Sequence, residues 1–391
     1  MSRHRAYLDY NATAPLHPDA RAAMIAALDQ PGNASSVHAE GRRARQLVST
    51  ARASVARLCG ADPAHVVFVA SATEAANHLL APAYRMGRAP LRHSRLFVSA
   101  VEHPCVLAGG RFDPADTGIL PVDAEGRIDL AAAEQALSAH AAREQGSFLL
   151  ALQLANSETG VIQPVRAVAD LVHRFGGTMI VDAVQAAGRI AIDAEALGAD
   201  FLFLSAHKLG GPQGAGAVIA RGEMLMPEPL LRGGGQEKGH RAGTENVAAI
   251  AGFGVAAEIA AADLARSSAL AAKRDRIEAH MRSEAADITI YASGVERLPN
   301  TSCFALPGLK AETAQIAFDM EGIALSAGSA CSSGKIGRSH VLEAMGADAD
   351  LGALRLSIGM ATGEAEIEAF TAAFAKLNAR RRERIAGANA A

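Results

Sequence analysis

One alternation constrains the fold of this chain more than any other feature. Short, continuous apolar runs are separated by Ala-rich stretches of helical periodicity. Strands are predicted at Val66–Ala70, Leu96–Ser99, Phe148–Leu152, Thr178–Val181, Phe201–Leu204 and Ala217–Ile219. Helices are predicted at Glu40–Leu58, Glu74–Leu80, Pro164–Phe175 and Ala194–Leu197. Strand–helix–strand alternation at this spacing implies a mostly parallel sheet with helices on both faces. Strands that are apolar throughout, rather than every second residue, fit a sheet covered on both sides. Trp is absent and aromatics make up 4%, so the core is expected to be aliphatic and packed with Ala.

The pattern changes after Thr244. Asn246–Glu284 reads as a long helical region, and shorter strand candidates follow at Ile288–Tyr291, Ser302–Ala305 and Leu354–Ser357. The expectation is an α/β protein of two domains, which suits 391 residues. Residues 15–263 form the large sheet domain; residues 1–14 and 264–391 form a smaller α+β domain. The Arg cluster from Arg380 onward reads as a solvated helix end.

Lys and Arg number 38 against 41 Asp and Glu, a net charge of −3. That balance argues against a nucleic-acid or anionic-membrane binder. The four cysteines, Cys59, Cys105, Cys303 and Cys331, show no CxxC pairing or zinc spacing. No metal site is expected. The N-terminal residues carry no apolar signal region, and no apolar run reads as long enough to span a bilayer. A cytoplasmic protein is expected.

In an open parallel sheet, ligands bind beyond the carboxyl ends of the strands. Ser71-Ala72-Thr73-Glu74 follows the first predicted strand, as an anion site at a helix start or as an ordinary N-cap. Asp182-Ala-Val-Gln185 follows another, with the same two readings open. Ser205-Ala206-His207-Lys208 precedes Gly210-Gly211, and Gly residues there imply close approach of a backbone or ligand. Lys208 is thus a candidate Schiff-base amine rather than a surface Lys. Gly233–Thr244 is a second Gly-rich, cationic loop without Walker spacing, whose plain reading is a mobile surface loop. A sheet-end Asp, a neighbouring Lys and hydroxyls for a phosphate together fit pyridoxal 5'-phosphate.

These residues belong to a recognisable set. Tyr7-Leu-Asp-Tyr-Asn11-Ala-Thr-Ala-Pro15, Gly32-Asn33-Ala-Ser-Ser-Val-His38, Ala72-Thr73-Glu74, Glu102-His103, Glu158-Thr-Gly160, Val181-Asp182-Ala-Val-Gln185, Ser205-Ala-His207-Lys208, Arg241-Ala-Gly-Thr244, Ser326-Ala-Gly-Ser-Ala-Cys331 and Arg355-Leu-Ser-Ile-Gly359 occur in this order. In order and spacing, the chain resembles the bacterial cysteine desulfurases of the nitrogen-fixation and iron–sulfur-cluster type, within the class V aminotransferases. The resemblance implies the fold of pyridoxal-phosphate-dependent transferases and conversion of L-cysteine to L-alanine, with sulfane sulfur passed to an enzyme cysteine. It implies that Lys208 holds the cofactor and moves protons, and that His103 stacks on the ring and acts in acid–base steps. Asp182 pairs with the ring nitrogen, and Gln185 approaches the phenolic oxygen. Ala72, Thr73, Ser205 and His207 hold the phosphate. Thr244 reaches the phosphate of the neighbouring subunit of a homodimer. Arg355 and Asn33 bind substrate, and Cys331 accepts the sulfur before an acceptor or cluster-scaffold protein takes it. Two positions depart from the family pattern: Ser157 replaces an Asn that contacts the phenolic oxygen, and Ala34 replaces a Pro.

The surroundings of the cysteines agree with that division. Cys331 lies in Ser329-Ala-Cys-Ser-Ser-Gly, a small polar stretch. Cys303 beside Phe304 and Cys59 beside Leu58 read as buried and inert. Cys105, two residues after His103, also reads as structural. Within the same fold, an aminotransferase or a selenocysteine lyase is the alternative. A non-catalytic sulfur-relay or scaffold protein is the alternative from another class. The joint presence of Lys208, Asp182 and His103 argues against it.

Overall fold

A computed structural model describes residues 5–143, 146–327, 338–348 and 351–389. The chain enters through a two-residue strand, β1 (Ala6–Tyr7), and two helices, α1 (Pro18–Leu28) and α2 (Ala39–Leu58). Next come β2 (Val66–Val69), α3 (Ala72–Leu79), β3 (Ala83–Met86), β4 (Ala89–Ser99), a single helical turn α4 (Pro104–Leu107) and β5 (Thr117–Leu120). The middle of the chain carries α5 (Leu130–Ala142), β6 (Ser147–Gln153), α6 (Val165–Arg174), β7 (Thr178–Asp182), β8 (Phe201–Ser205), β9 (Gly216–Ala220) and β10 (Leu225–Pro227). Two long helices follow, α7 (Val247–Asp263) and α8 (Ser267–Glu284), joined by one 3-10 turn. The last part holds β11 (Thr289–Ile290), β12 (Thr301–Ala305), α9 (Ala311–Met320), β13 (Ile323–Ala324), β14 (Ser326–Ala327), α10 (His340–Ala344), β15 (Leu354–Ser357) and α11 (Glu364–Asn389).

Nine strands form the large sheet, in the order β10-β3-β4-β6-β7-β8-β9-β2 with β5 also on β4. Its centre, β5 and β4 through β8, is parallel, and the pairs outside it are antiparallel. Phe148, Leu150 and Leu152 of β6 enter the core on one face, while Leu149 and Ala151 enter the core on the other. That is the period-2 signature of a strand covered twice. Phe148→Ala would open a cavity at a fully buried position, costing about 3–5 kcal/mol.

A separate four-stranded antiparallel sheet, β11-β12-β15-β14, has its own core, to which Ala6 and Leu8 also contribute. Phe370 of α11 stacks on Phe318 of α9 with ring centres 5.4 Å apart. The N-terminal segment is sewn to this sheet at Gly359, where a Cβ would fall 1.9 Å from a Tyr10 ring carbon.

Four sequence expectations change. Residues 194–198 form turns rather than a helix, closed by the Asp193 side chain accepting from the Ala196 amide at 2.9 Å. One helical stretch, Val247–Glu284, is long and apolar enough to cross a membrane by composition, but 56% of its apolar window is buried within the fold. It packs against α1 and α2. Arg381 is not solvated. It makes a bidentate pair with Asp287 at 2.6 and 2.9 Å and donates to the Pro307 carbonyl. The Gly-rich loop after Leu231 is anchored as well. Glu237 adopts a left-handed backbone (φ 47°), an unfavourable geometry for a residue with a Cβ. Its buried carboxylate takes two bonds from Arg52, both 2.6 Å, and one from the Phe68 amide at 2.9 Å, which offset that cost.

Candidate active site

Four of the parallel strands end in a polar residue at the same edge, Ser99 closing β4. Gln153 closes β6, Asp182 closes β7 and Ser205 closes β8, and Gln153 pairs in register with Asp182. The antiparallel β9 and β2 bring Gly216 and Val69 to this edge too, and α3 starts there. Gly216 has no room for a side chain, since a Cβ would lie 2.9 Å from both the Leu204 oxygen and the Ser71 carbonyl carbon. Beyond this edge lies a cavity of about 410 Å³.

The cavity gathers most of the residues expected at a cofactor site. Ala72, Thr73, His103, Ser157, Asp182, Gln185, Ser205, His207 and Lys208 all line it. Thr244 and Asn33 do not; both are exposed, and the Asn33 side chain accepts from the Ser35 amide at 2.9 Å. Cys331 lies outside the described residues. Arg355 is also outside the lining, with 0% exposure. Its Nη2 pairs with Asp9 Oδ1 at 2.8 Å, and its Nη1 donates to the carbonyl of Ser157 at 3.1 Å. It therefore stands one hydrogen bond behind the cavity wall.

Both readings of Ser71–Glu74 hold at once. Ser71 N-caps α3 by accepting from the Glu74 amide at 3.1 Å, and the same turn forms one wall of the cavity. Asp182 likewise accepts from the Val184 amide at 2.9 Å and also lines the cavity. Burial raises the Asp182 carboxyl to about 6, against the lowering effects of that bond and of Lys208. Such an acid gives up its proton readily once a cationic partner stands beside it.

Lys208 Nζ donates to the carbonyls of Asn11 and Ala12 at 2.6 and 2.8 Å. His103 and His207 are each pushed down to about 4, by burial first and by Lys208 next. Both imidazoles are thus neutral at pH 7. A neutral ring beside an amine and a carboxyl can take or return a proton, as acid–base work requires.

Sequence reasoning assigned no role to several residues here. Asn11 is fully buried and joins the two sheets: its side chain donates to Ser157 O and Thr301 Oγ1, and its carbonyl accepts from Lys208 and from Gln185. Glu102 is buried beneath Gln153, accepts from its amide at 2.8 Å, and has its carboxyl pushed well above the usual range by burial. Gln153 and Gln213 line the cavity, as does Cys105. The only signals for Asn11 and Glu102 were their places in the N-terminal and Glu102-His103 motifs.

The comparisons with known proteins bear on this geometry. Residues 6–370 match the aminotransferase class-V family. This chain belongs to that family. A cysteine desulfurase from Cereibacter sphaeroides is 39% identical over 372 residues, spanning 93% of each chain. An IscS-like cysteine desulfurase from Mycobacterium tuberculosis is 37% identical, spanning 93% of this chain and 94% of its own. Among solved structures, a NifS-like protein from Rickettsia africae superposes with a TM-score of 0.84 at 31% identity, over 95% of this chain and 99% of that one. SspA in complex with cysteine superposes at 0.73 with 26% identity, over 90% of this chain and 98% of its own. Within the class-V family, the chain falls among the NifS- and IscS-like cysteine desulfurases.

Proposed function

We propose that this class-V protein is a pyridoxal-phosphate-dependent cysteine desulfurase that converts L-cysteine to L-alanine and leaves the sulfane sulfur on Cys331. The observation that carries the reading is the convergence of Lys208, Asp182, His103 and the start of α3 on one cavity at the sheet's carboxyl edge. The donor set fits the cofactor. Lys208 would hold it covalently, Asp182 would pair with the ring nitrogen, and His103 would stack on the ring. Gln185 and Ser157 would serve its phenolic oxygen. Thr73, Ser205, His207 and the amides at Ala72 suit its phosphate. Thr244 is read as reaching the phosphate of a second subunit. When bound, the cofactor acts as an electron sink that makes the substrate's α-proton acidic.

The protein's own groups do the rest. Lys208 Nζ takes the α-proton and returns one to the departing alanine. Asp182, ionised against the ring nitrogen, keeps that nitrogen protonated. Arg355 and Asn33 are read as the partners of the substrate carboxylate, a planar bidentate guanidinium suiting that group. Cys331 attacks the substrate sulfur as a thiolate. The substrate carbon–sulfur bond breaks, a sulfur–sulfur bond forms on Cys331, and the products are alanine and the Cys331 persulfide. A dimeric, cytoplasmic enzyme that feeds iron–sulfur or thio-cofactor synthesis through an acceptor protein is the setting this chemistry fits.

The test measures alanine and sulfide from L-cysteine in the reconstituted protein. Lys208→Ala is expected to remove both products and the visible absorption of bound cofactor. Cys331→Ala is expected to keep the absorption and lose sulfur transfer. Sulfide release by Cys331→Ala at the wild-type rate would sink the persulfide mechanism on Cys331, and loss of the amino group from cysteine with its carbon–sulfur bond intact would favour an aminotransferase.

A further inference from the structure

Cys105 does more than fill space. Two groups of the cavity meet at its sulfur. Its Sγ lies 3.0 Å from Nδ1 of His103, and the Thr73 side chain hydrogen-bonds to the same thiol. His103 N-caps the single turn α4, so its Nδ1 also accepts from the Cys105 amide at 3.2 Å. An amide can only donate, so Nδ1 is an acceptor, and the neutral ring carries its hydrogen on Nε2. Burial pushes the Cys105 thiol up to about 12, so the sulfur keeps its hydrogen at neutral pH. A protonated thiol beside an imidazole acceptor donates to it. The Thr73 hydroxyl can then donate to the sulfur, and all three groups line the cavity.

We propose that Cys105 is a positioning residue for His103: its thiol, held by Thr73, is the second donor to Nδ1 and fixes the ring in one plane and one tautomer. The link runs from the turn read as the phosphate site to the imidazole read as the ring's neighbour, and the inference rests on that reading of His103. The thiol is not a second sulfur acceptor, because a thiol that stays protonated is a poor nucleophile.

The experiment compares Cys105→Ala with Cys105→Ser. In reconstituted enzyme, Cys105→Ala is expected to lower kcat about fivefold, the worth of one positioning hydrogen bond. KM for cysteine is expected to stay within about twofold, since the substrate-binding groups are untouched. Cys105→Ser keeps a donor and is expected to recover more than half of the loss. A readout without turnover uses cofactor-free protein with 15N-labelled histidine, the His103 signals being those lost in His103→Gln. Wild type is expected to show one sharp Nε2–H tautomer, and Cys105→Ala a shifted and broadened Nδ1 resonance. Wild-type kcat with unmoved imidazole shifts in Cys105→Ala would overturn the proposal. A serine variant as poor as the alanine variant would overturn it too, because packing and not the hydrogen bond would then matter. If the wild-type protein makes no alanine from cysteine, the function reading falls, and the imidazole shifts still decide the role of Cys105.

Discussion

Two polar clusters meet at Ser157, and they are built differently. On one side is the cavity, where Asp182 is buried and His103 and His207 are half-buried, and desolvation moves each away from its ordinary pKa. On the other side is the junction between the two sheets. There Arg355 is fully buried but bonded to Asp9, to Ser326 Oγ at 3.1 Å and to Ser157 O, and Ser326 Oγ in turn donates to Asp9 at 2.7 Å. The first arrangement stores reactivity and costs stability. The second fixes a geometry, because both terminal nitrogens of Arg355 and both oxygens of the Asp9 carboxylate are hydrogen-bonded. The difference separates groups whose protonation is shifted by desolvation from groups held in a hydrogen-bonded frame, although all are polar and withdrawn from solvent.

The largest expected effect breaks the junction. Arg355→Ala leaves Asp9 with a single hydroxyl partner in place of its guanidinium. Breaking a buried pair costs about 3–5 kcal/mol, and urea denaturation of the cofactor-free protein would show a midpoint shift of that size. Because Arg355 is proposed to bind the substrate carboxylate, KM for cysteine is expected to rise in whatever protein remains folded. A loss below about 1 kcal/mol, in the range of exposed pairs, would contradict the division drawn above.

Next is Asp182→Asn, where activity and stability are expected to move in opposite directions. The amide cannot pair ionically with a ring nitrogen, so turnover should fall by about a hundredfold or more. Stability should rise at pH 7. Asp182 has a folded pKa of about 6 against the ordinary 3.8, so it holds its proton in the folded state where the unfolded chain has lost it. Its favourable contribution is complete below about pH 4 and is lost as pH rises through 6, an upper limit of about 3 kcal/mol. His78, His93, His103 and His207 act in the opposite sense. Each is pushed down to about 4, so the stability they carry is present above their ordinary 6.5 and is lost as pH falls toward 4. Subtracting the Asp182→Asn pH profile from that of the wild type removes the shared histidine contribution. A difference profile flat between pH 4 and 7 would contradict the assignment.

The two clusters were not equally legible in the sequence. The cavity was, because its groups sit on strand ends and the turns that follow. Apolar runs such as Phe201–Leu204 give the strand, and the next residues, Ser205 to Lys208, necessarily stand at its carboxyl edge. The sheet's outer pairs were less so: β3 and β10 are short, with half-polar sequences such as Ala83–Met86 that lack a strand period. The junction was hidden for a different reason. Arg355 and Asp9 are separated by 346 positions, and nothing local to either marks the pairing. Arg381 read as solvated for the same reason, since its partner Asp287 belongs to the turn after α8. Long-range ion pairs leave no periodicity behind.

The smallest expected effect sharpens the comparison at its edge. Ser339 N-caps α10, accepting from the Leu342 amide at 3.2 Å, and donates to the buried Glu158 carboxylate at 2.6 Å. His340, beside it, donates to the Glu102 carbonyl at 2.9 Å. These contacts tie α10 to the backbone on which Ser157 and His103 stand, but Ser339 itself does not line the cavity. Ser339→Ala removes a cap and leaves Glu158, whose carboxyl burial already raises, without that donor. The expected loss is about 1–2 kcal/mol, read as a lower urea midpoint. Cofactor affinity, titrated by absorbance, should be unchanged, because no cavity group loses a bond. Ser339→Thr keeps the hydroxyl and should recover most of the stability. A Ser339→Ala protein that loses cofactor affinity along with stability would show that alignment and chemistry are one cooperative unit here, and that the boundary at Ser157 is not real.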